Sequence, residues 1–102
     1  MTANDLHTLK EECLRLLQYY IDKTSQLMKI YKDSNQMRYF LFALKGNRES
    51  IKGEDISKEY LVKCIDALLG VRNNTVANDH LGDLQNELHE ELTLLKLRYD
   101  LD

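Results

Sequence analysis

The sequence contains no proline and no tryptophan, and it has only four glycines and two cysteines among 102 residues. Proline and glycine interrupt helices more strongly than any other residue, so their scarcity favours long continuous helices. Valine, isoleucine and threonine do not alternate with polar residues anywhere for long enough to predict a strand. The protein is therefore predicted to be all-α.

Long apolar runs and cysteine motifs are also lacking. No apolar stretch approaches the ~20 residues that cross a bilayer, so no membrane span is expected. Cys13 and Cys64 do not have the spacing of a zinc or redox motif, and the first residues lack the apolar core of a signal peptide. These features together predict a cytoplasmic protein with reduced thiols.

The net charge of −3 is small, but it is unevenly distributed along the chain. Residues 1–22 carry −2, residues 23–63 carry +4, and residues 64–102 carry −5. Two interpretations remain open. The basic middle can face the acidic end within one bundle, or the molecule can present a charged surface to a partner.

Apolar residues at steps of three and four predict four helices within a single domain, 1–102. The predicted helices cover about 4–33, 34–45, 55–69 and 75–99. At ~1.5 Å per residue the first helix is ~45 Å long and the last ~37 Å, which is long for a compact domain of this size. We therefore predict an elongated antiparallel bundle of four helices, two long and two short.

The second predicted helix is the most unusual stretch of the chain, because residues 37–44 are apolar on nearly every side. Such a helix is either buried or in contact with something outside its own fold. Successive residues in a helix are ~100° apart, so Tyr39, Phe40 and Phe42 cannot all face one core. We expect at least one of them to project from the bundle.

Polar residues at the ends of this helix predict its limits. Ser34 or Asp33 is expected to cap its start. Gly46 and Asn47 are typical helix stops, so the helix is predicted to end near residue 45. Residues 46–54 are then predicted to form a loop.

The last predicted helix combines a core stripe with an acidic face. Leu94, Leu97 and Leu101 are predicted to widen the core stripe near its end. Its carboxylates follow the polar side at helical spacing. That face is either simply solvated or docks on a basic partner surface.

No catalytic, cofactor or metal motif is recognisable in the chain. His80 and His89 lack the Glu-x-x-His spacing of di-iron bundles, because Ala77 and Asn86 occupy the glutamate positions. Basic residues in the middle alternate with aromatic ones, as in nucleic-acid surfaces. However, the acidic pI of about 5.6 argues against nucleic-acid binding.

The sequence thus favours a non-catalytic protein–protein interaction module, such as a small adaptor, inhibitor or regulator. Its partner is another protein, or a second copy in a homodimer. The alternatives are a nucleic-acid-associated protein and a small helical enzyme whose site is invisible in sequence. The predicted partner-binding residues are Met37, Arg38, Tyr39, Phe42, Lys45, Arg48, Asp79, Asp83, Glu87 and Glu90.

Overall fold

A computed structural model of the protein describes residues 2–32, 34–53, 56–70 and 79–101. These residues form four α-helices, namely α1 (Ala3–Ile30), α2 (Asn35–Ile51), α3 (Lys58–Leu69) and α4 (Asp79–Arg98), and within the same ranges there is no strand. The all-α prediction is confirmed. The predicted start of the last helix near residue 75 lies outside the described residues.

Serine side chains cap the starts of α2 and α3. The Oγ of Ser34 accepts a hydrogen bond from the backbone N–H of Met37 at 3.2 Å, and the Oγ of Ser57 accepts one from Tyr60 at 3.1 Å. Each bond satisfies an amide that has no partner inside its helix. Of the two predicted caps of the second helix, Ser34 and Asp33, Ser34 is the N-cap, and Asp33 lies outside the described residues.

Helix α2 continues past Gly46 and Asn47 and ends at Ile51, so the predicted stop near residue 45 was wrong. Most of the predicted loop, 46–54, is therefore helical. The reason lies in packing, because the Ile51 side chain is fully buried. Burying such a side chain is worth ~1.5–3 kcal/mol, which exceeds the ~1 kcal/mol that a glycine costs inside a helix.

The position of Gly46 gives a test of this helix extension. A Cβ atom built there would meet no atom within 4 Å. We expect Gly46→Ala to raise the free energy of unfolding by about 0.5–1 kcal/mol, since alanine loses less backbone entropy on entering a helix. Urea denaturation followed by circular dichroism measures the change. A lower stability would instead show that Gly46 ends the helix.

Each of the four helices packs mainly against two neighbours, so that the contacts run in a ring around the bundle. Helix α1 packs against α2 and α4, and α3 packs against the same two helices. Helices α2 and α4 consequently lie on opposite corners of the bundle, as do α1 and α3. The molecule measures 44 × 23 × 16 Å, and its longest dimension follows from the 28 residues of α1.

Hydrogen bonds between helices show that α1 runs in the opposite direction to both α2 and α4. Lys10, near the start of α1, donates to the carbonyl of Gly53 just beyond the end of α2 at 2.8 Å. Arg98, the last residue of α4, donates to Glu12 in the first half of α1 at 3.0 Å. The elongated antiparallel four-helix bundle is thus the observed architecture.

One apolar face of each helix contributes to the core. Its largest fully buried side chains are Leu9, Leu17, Met37, Phe40, Leu44, Ile51, Leu61, Ile65, Leu81, Leu92, Leu95 and Leu101. The positions on α2 recur at steps of three, four and seven, and those on α4 do so once the buried Leu88 is included, which places them on one side of each helix. Every helix is therefore held by its inner face, and its outer face is left to solvent.

The prediction for Leu94 and Leu97 was wrong. They do not widen the core stripe, and their side chains are 53% and 69% exposed. They lie roughly 130° and 170° around the helix from the mean direction of the buried leucines of α4. Of the three leucines predicted to widen that stripe, only Leu101 is buried.

Candidate interaction surfaces on α2 and α4

Phe40 and Phe42 lie on opposite sides of α2. The Phe40 side chain is only 1% exposed, whereas that of Phe42 is 78% exposed and that of Tyr39 is 63% exposed. The difference follows from the ~200° that separates residues two positions apart in a helix. The prediction that at least one of these aromatic side chains projects from the bundle is confirmed.

A continuous solvent-exposed strip runs along the side of α2 that faces away from the core. We call it the outer face of α2, and its residues are Arg38, Tyr39, Phe42, Lys45, Gly46 and Glu49. Two large aromatic side chains lie at its centre, three residues apart and therefore adjacent on the helix surface. It holds four of the residues predicted from sequence to bind a partner.

Two other predicted residues of α2 lie elsewhere. Met37 is fully buried, because it is one turn from Phe40 on the core side of the helix. The structure therefore places Met37 in the core and not on a partner-binding surface. Arg48 lies at the seam with α1, where its guanidinium donates to the side-chain oxygen of Gln18 at 2.7 Å.

The charges along α2 are predominantly positive. From Asn35 to Lys52 there are four cationic side chains and a single carboxylate, Glu49. Glu49 is paired with Arg48 at 3.5 Å and with Lys52 at 3.6 Å. Within the part of the chain that the structure describes, Lys45 has no carboxylate within 4 Å. Among the described residues, the face therefore keeps one cation, Lys45, that is not paired with a carboxylate.

Helix α4 carries an exposed strip whose charge is negative. We call the exposed residues Asp83, Glu87, Glu90, Leu94 and Leu97 the outer face of α4. Between Leu81 and Leu95 there are four carboxylates and neither lysine nor arginine. In the described ranges, no cation lies within 4 Å of these carboxylates. Asp79 is the first residue of α4, but its side chain lies outside the described part of the structure.

The two strips do not form a single surface, because α2 and α4 occupy opposite corners of the bundle. Among described residues, the ion pairs that join different helices are Asp66–Lys96 at 2.8 Å and Glu12–Arg98 at 3.0 Å. Neither involves α2 or the carboxylates of residues 83–91. Among the described residues, the basic middle of the chain therefore forms no ion pair with these carboxylates, although Lys23 lines the same depression as Asp83 and Glu87.

Shallow depressions line the seam between α1 and α4. One of about 330 Å³ lies between Arg15 and Tyr19 of α1 and Glu91 of α4. Burial, together with the nearby carboxylates of Glu87 and Glu91, raises the pKa of the adjacent Tyr20 to about 12. The phenol of Tyr20 is therefore neutral at physiological pH, and it serves as part of the packing between α1 and α4.

The two thiols are free and buried. Burial raises the pKa of Cys13 to about 12, and it also raises the pKa of Cys64. Because the thiolate is the reactive form of cysteine, both side chains are held in the unreactive state at neutral pH. They act as small apolar residues of the core.

Sequence reasoning missed Leu94 and Leu97 as members of an exposed surface. Their angular distance from Leu88, Leu92 and Leu95 is the signal that identifies them, since those three define the buried side of α4. Including them changes the character of the outer face of α4. It is an acidic strip that ends in two exposed leucines, and not a purely polar one.

The residues that the structure describes include no group of three or more histidine, cysteine, aspartate or glutamate side chains able to hold a metal ion. None of the four described helices is both long enough and apolar enough to cross a membrane. Comparison of the chain with protein-family models, with curated proteins and with solved structures finds no match.

Proposed function

We propose that this protein is a non-catalytic protein–protein interaction module, and that the outer face of α2 is its contact surface. The observation that carries this proposal is the exposure of Tyr39 and Phe42, side by side on one helix. Burying a large apolar side chain against a partner is worth ~1.5–3 kcal/mol. Aromatic residues are enriched at the centres of protein interfaces for this reason.

The rest of α2 suits this role because it holds the two aromatic residues in place. The opposite side of the same helix is anchored in the core by Phe40, Leu44 and Ile51. A contact surface on a rigid helix loses little conformational entropy on binding. Arg38 and Lys45 flank the aromatic pair, and such charges favour an acidic partner and accelerate its approach.

The same proposal covers the type of protein and its location. An adaptor, inhibitor or regulator needs an exposed binding surface and does not need a reactive side chain. The buried, neutral thiols of Cys13 and Cys64 agree with such a role. Two free thiols in the core are typical of a reducing compartment, so we place the protein in the cytoplasm.

Photo-crosslinking in cells tests the proposed surface. A photoreactive phenylalanine analogue at position 42 is expected to give discrete protein adducts. The same analogue at Thr8, which is exposed on α1, serves as the matched control and is expected to give none of these adducts. Lys45→Glu is expected to reduce the yield from position 42. Equal adducts from both positions, no adducts, or adducts removed by nuclease would contradict the proposal.

A further inference from the structure

We infer that the outer face of α2 in one copy of the protein binds the outer face of α4 in a second copy, so that the protein assembles head to tail. This inference rests on the proposed function and names the partner as a second copy of the chain. The two faces are chemically complementary, and among the described residues neither forms an ion pair with another helix. Three features of the described residues support the pairing.

The first feature is charge. On the outer face of α2, Arg38 and Lys45 accompany one carboxylate, Glu49, and on the outer face of α4 three carboxylates accompany no lysine or arginine. Glu49 is the single carboxylate on the outer face of α2, and its pairing with Arg48 and Lys52 reduces its repulsion of an approaching acidic helix. Complementary potentials of this kind specify orientation and suppress incorrect partners.

The second feature is a matching apolar pair on each face. Tyr39 and Phe42 are three residues apart on α2, and Leu94 and Leu97 are three residues apart on α4. All four side chains are more than half exposed. If α2 of one copy lies antiparallel to α4 of another, Phe42 faces Leu94 and Tyr39 faces Leu97.

The third feature is the spacing of charges beyond the apolar pairs. Lys45 on α2 lies about one turn beyond Phe42, and Glu90 on α4 lies about one turn before Leu94. When the two helices are antiparallel, both residues lie at the same end of the apolar contact. Lys52 and Asp83 each lie seven residues further, which is ~10.5 Å along either helix. The same register therefore joins the apolar pairs and brings two cations opposite two carboxylates. It also sets Glu49, which is paired with Lys52, opposite Glu87, and Arg38 opposite Arg98, which is paired with Glu12.

The position of the two faces determines the kind of assembly. Because α2 and α4 occupy opposite corners of the bundle, a copy bound through its α2 face still presents its α4 face. Repeating such a contact gives an open chain or a ring and not a symmetric dimer. One pair of helix faces buries less than the ~1,200 Å² typical of stable complexes, so we expect weak, concentration-dependent association.

Sedimentation velocity on the full chain, from micromolar to millimolar concentration, tests the inference. We expect the average mass of the wild type to rise with concentration, and to rise less at high salt, because salt screens the charged contacts. Phe42→Asp and Leu94→Asp change exposed side chains, so each is expected to fold normally and to remain monomeric. Thr8→Asp, a comparable change at an exposed position of α1, is expected to assemble like the wild type.

Mixing the two variants gives the sharpest result. Each variant retains one intact face, so an equimolar mixture is expected to form a complex of two chains, about twice 12.0 kDa, that cannot grow further. A mixture that stays monomeric overturns the inference, as does a Leu94→Asp variant that dimerises alone. A monomeric wild type whose position 42 still crosslinks to another protein overturns the self-assembly and leaves the proposed function standing. A monomeric wild type without such adducts overturns both.

Discussion

Phe40→Ala is expected to lower the free energy of unfolding by about 3–5 kcal/mol, whereas Phe42→Ala is expected to change it by less than about 0.5 kcal/mol. The two residues are identical in type and only two positions apart on α2, so differences in helix propensity cancel. Their environments differ, because Phe40 is surrounded by core side chains and Phe42 is in solvent. Denaturant unfolding of both variants measures the difference.

The expected difference between Phe40→Ala and Phe42→Ala is large enough to decide which side of α2 is buried. Domains of this kind are stable by only ~5–15 kcal/mol, so the loss at Phe40 is a large fraction of the total. A loss of ~2 kcal/mol or more for Phe42→Ala would show that its side chain is buried within the chain. In that case α2 would be a core helix on both sides, and it would have no outer face to offer a partner.

Leu101→Ala is expected to have the second large effect and to lower the free energy of unfolding by about 2–5 kcal/mol. Leu101 lies beyond the end of α4, yet its side chain is 1% exposed. Its backbone N–H donates to the carbonyl of Lys96 at 2.9 Å, and the N–H of Asp100 donates to that of Leu97 at 3.3 Å. With Asp100 at a φ of 53°, these bonds form a Schellman motif that turns Leu101 back onto the core.

Leu97→Ala is the matched control for Leu101→Ala, since it removes the same atoms from an exposed position four residues earlier. We expect the free energy of unfolding of Leu97→Ala to lie within about 0.5 kcal/mol of that of the wild type. Equal losses for the two variants, or a larger loss for Leu97→Ala, would contradict the assignment of the buried and exposed sides of α4. Denaturant unfolding of the two proteins side by side gives the comparison.

Local signals in the sequence were sufficient for most of the fold. Long apolar stripes without proline predicted the four helices, and Ser34 predicted the start of α2 through the hydrogen bond that its side chain offers to the backbone. The end of α2 could not be predicted in this way. Gly46 and Asn47 are local stop signals, but the burial of Ile51 depends on neighbouring helices that the sequence does not position.

The candidate surfaces were predictable in part. The ~100° step of a helix was enough to predict that an aromatic residue of α2 projects from the bundle. The exposure of Leu94 and Leu97 was missed, because leucines at helical spacing were assigned to the core before the buried side of α4 was known. The separation of the two faces depends on the packing order of the helices, which places α2 and α4 on opposite corners.

The reaction of a cysteine introduced at position 42 with a small thiol reagent tests the central claim, that the outer face of α2 is presented to solvent. The native thiols give little background, since burial raises the pKa of both Cys13 and Cys64. In dilute protein, Phe42→Cys is expected to react at the rate of a free thiol, and more slowly as concentration brings copies together. A rate in dilute protein as slow as that of Cys13 would show that the chain itself covers this face, and would contradict the claim.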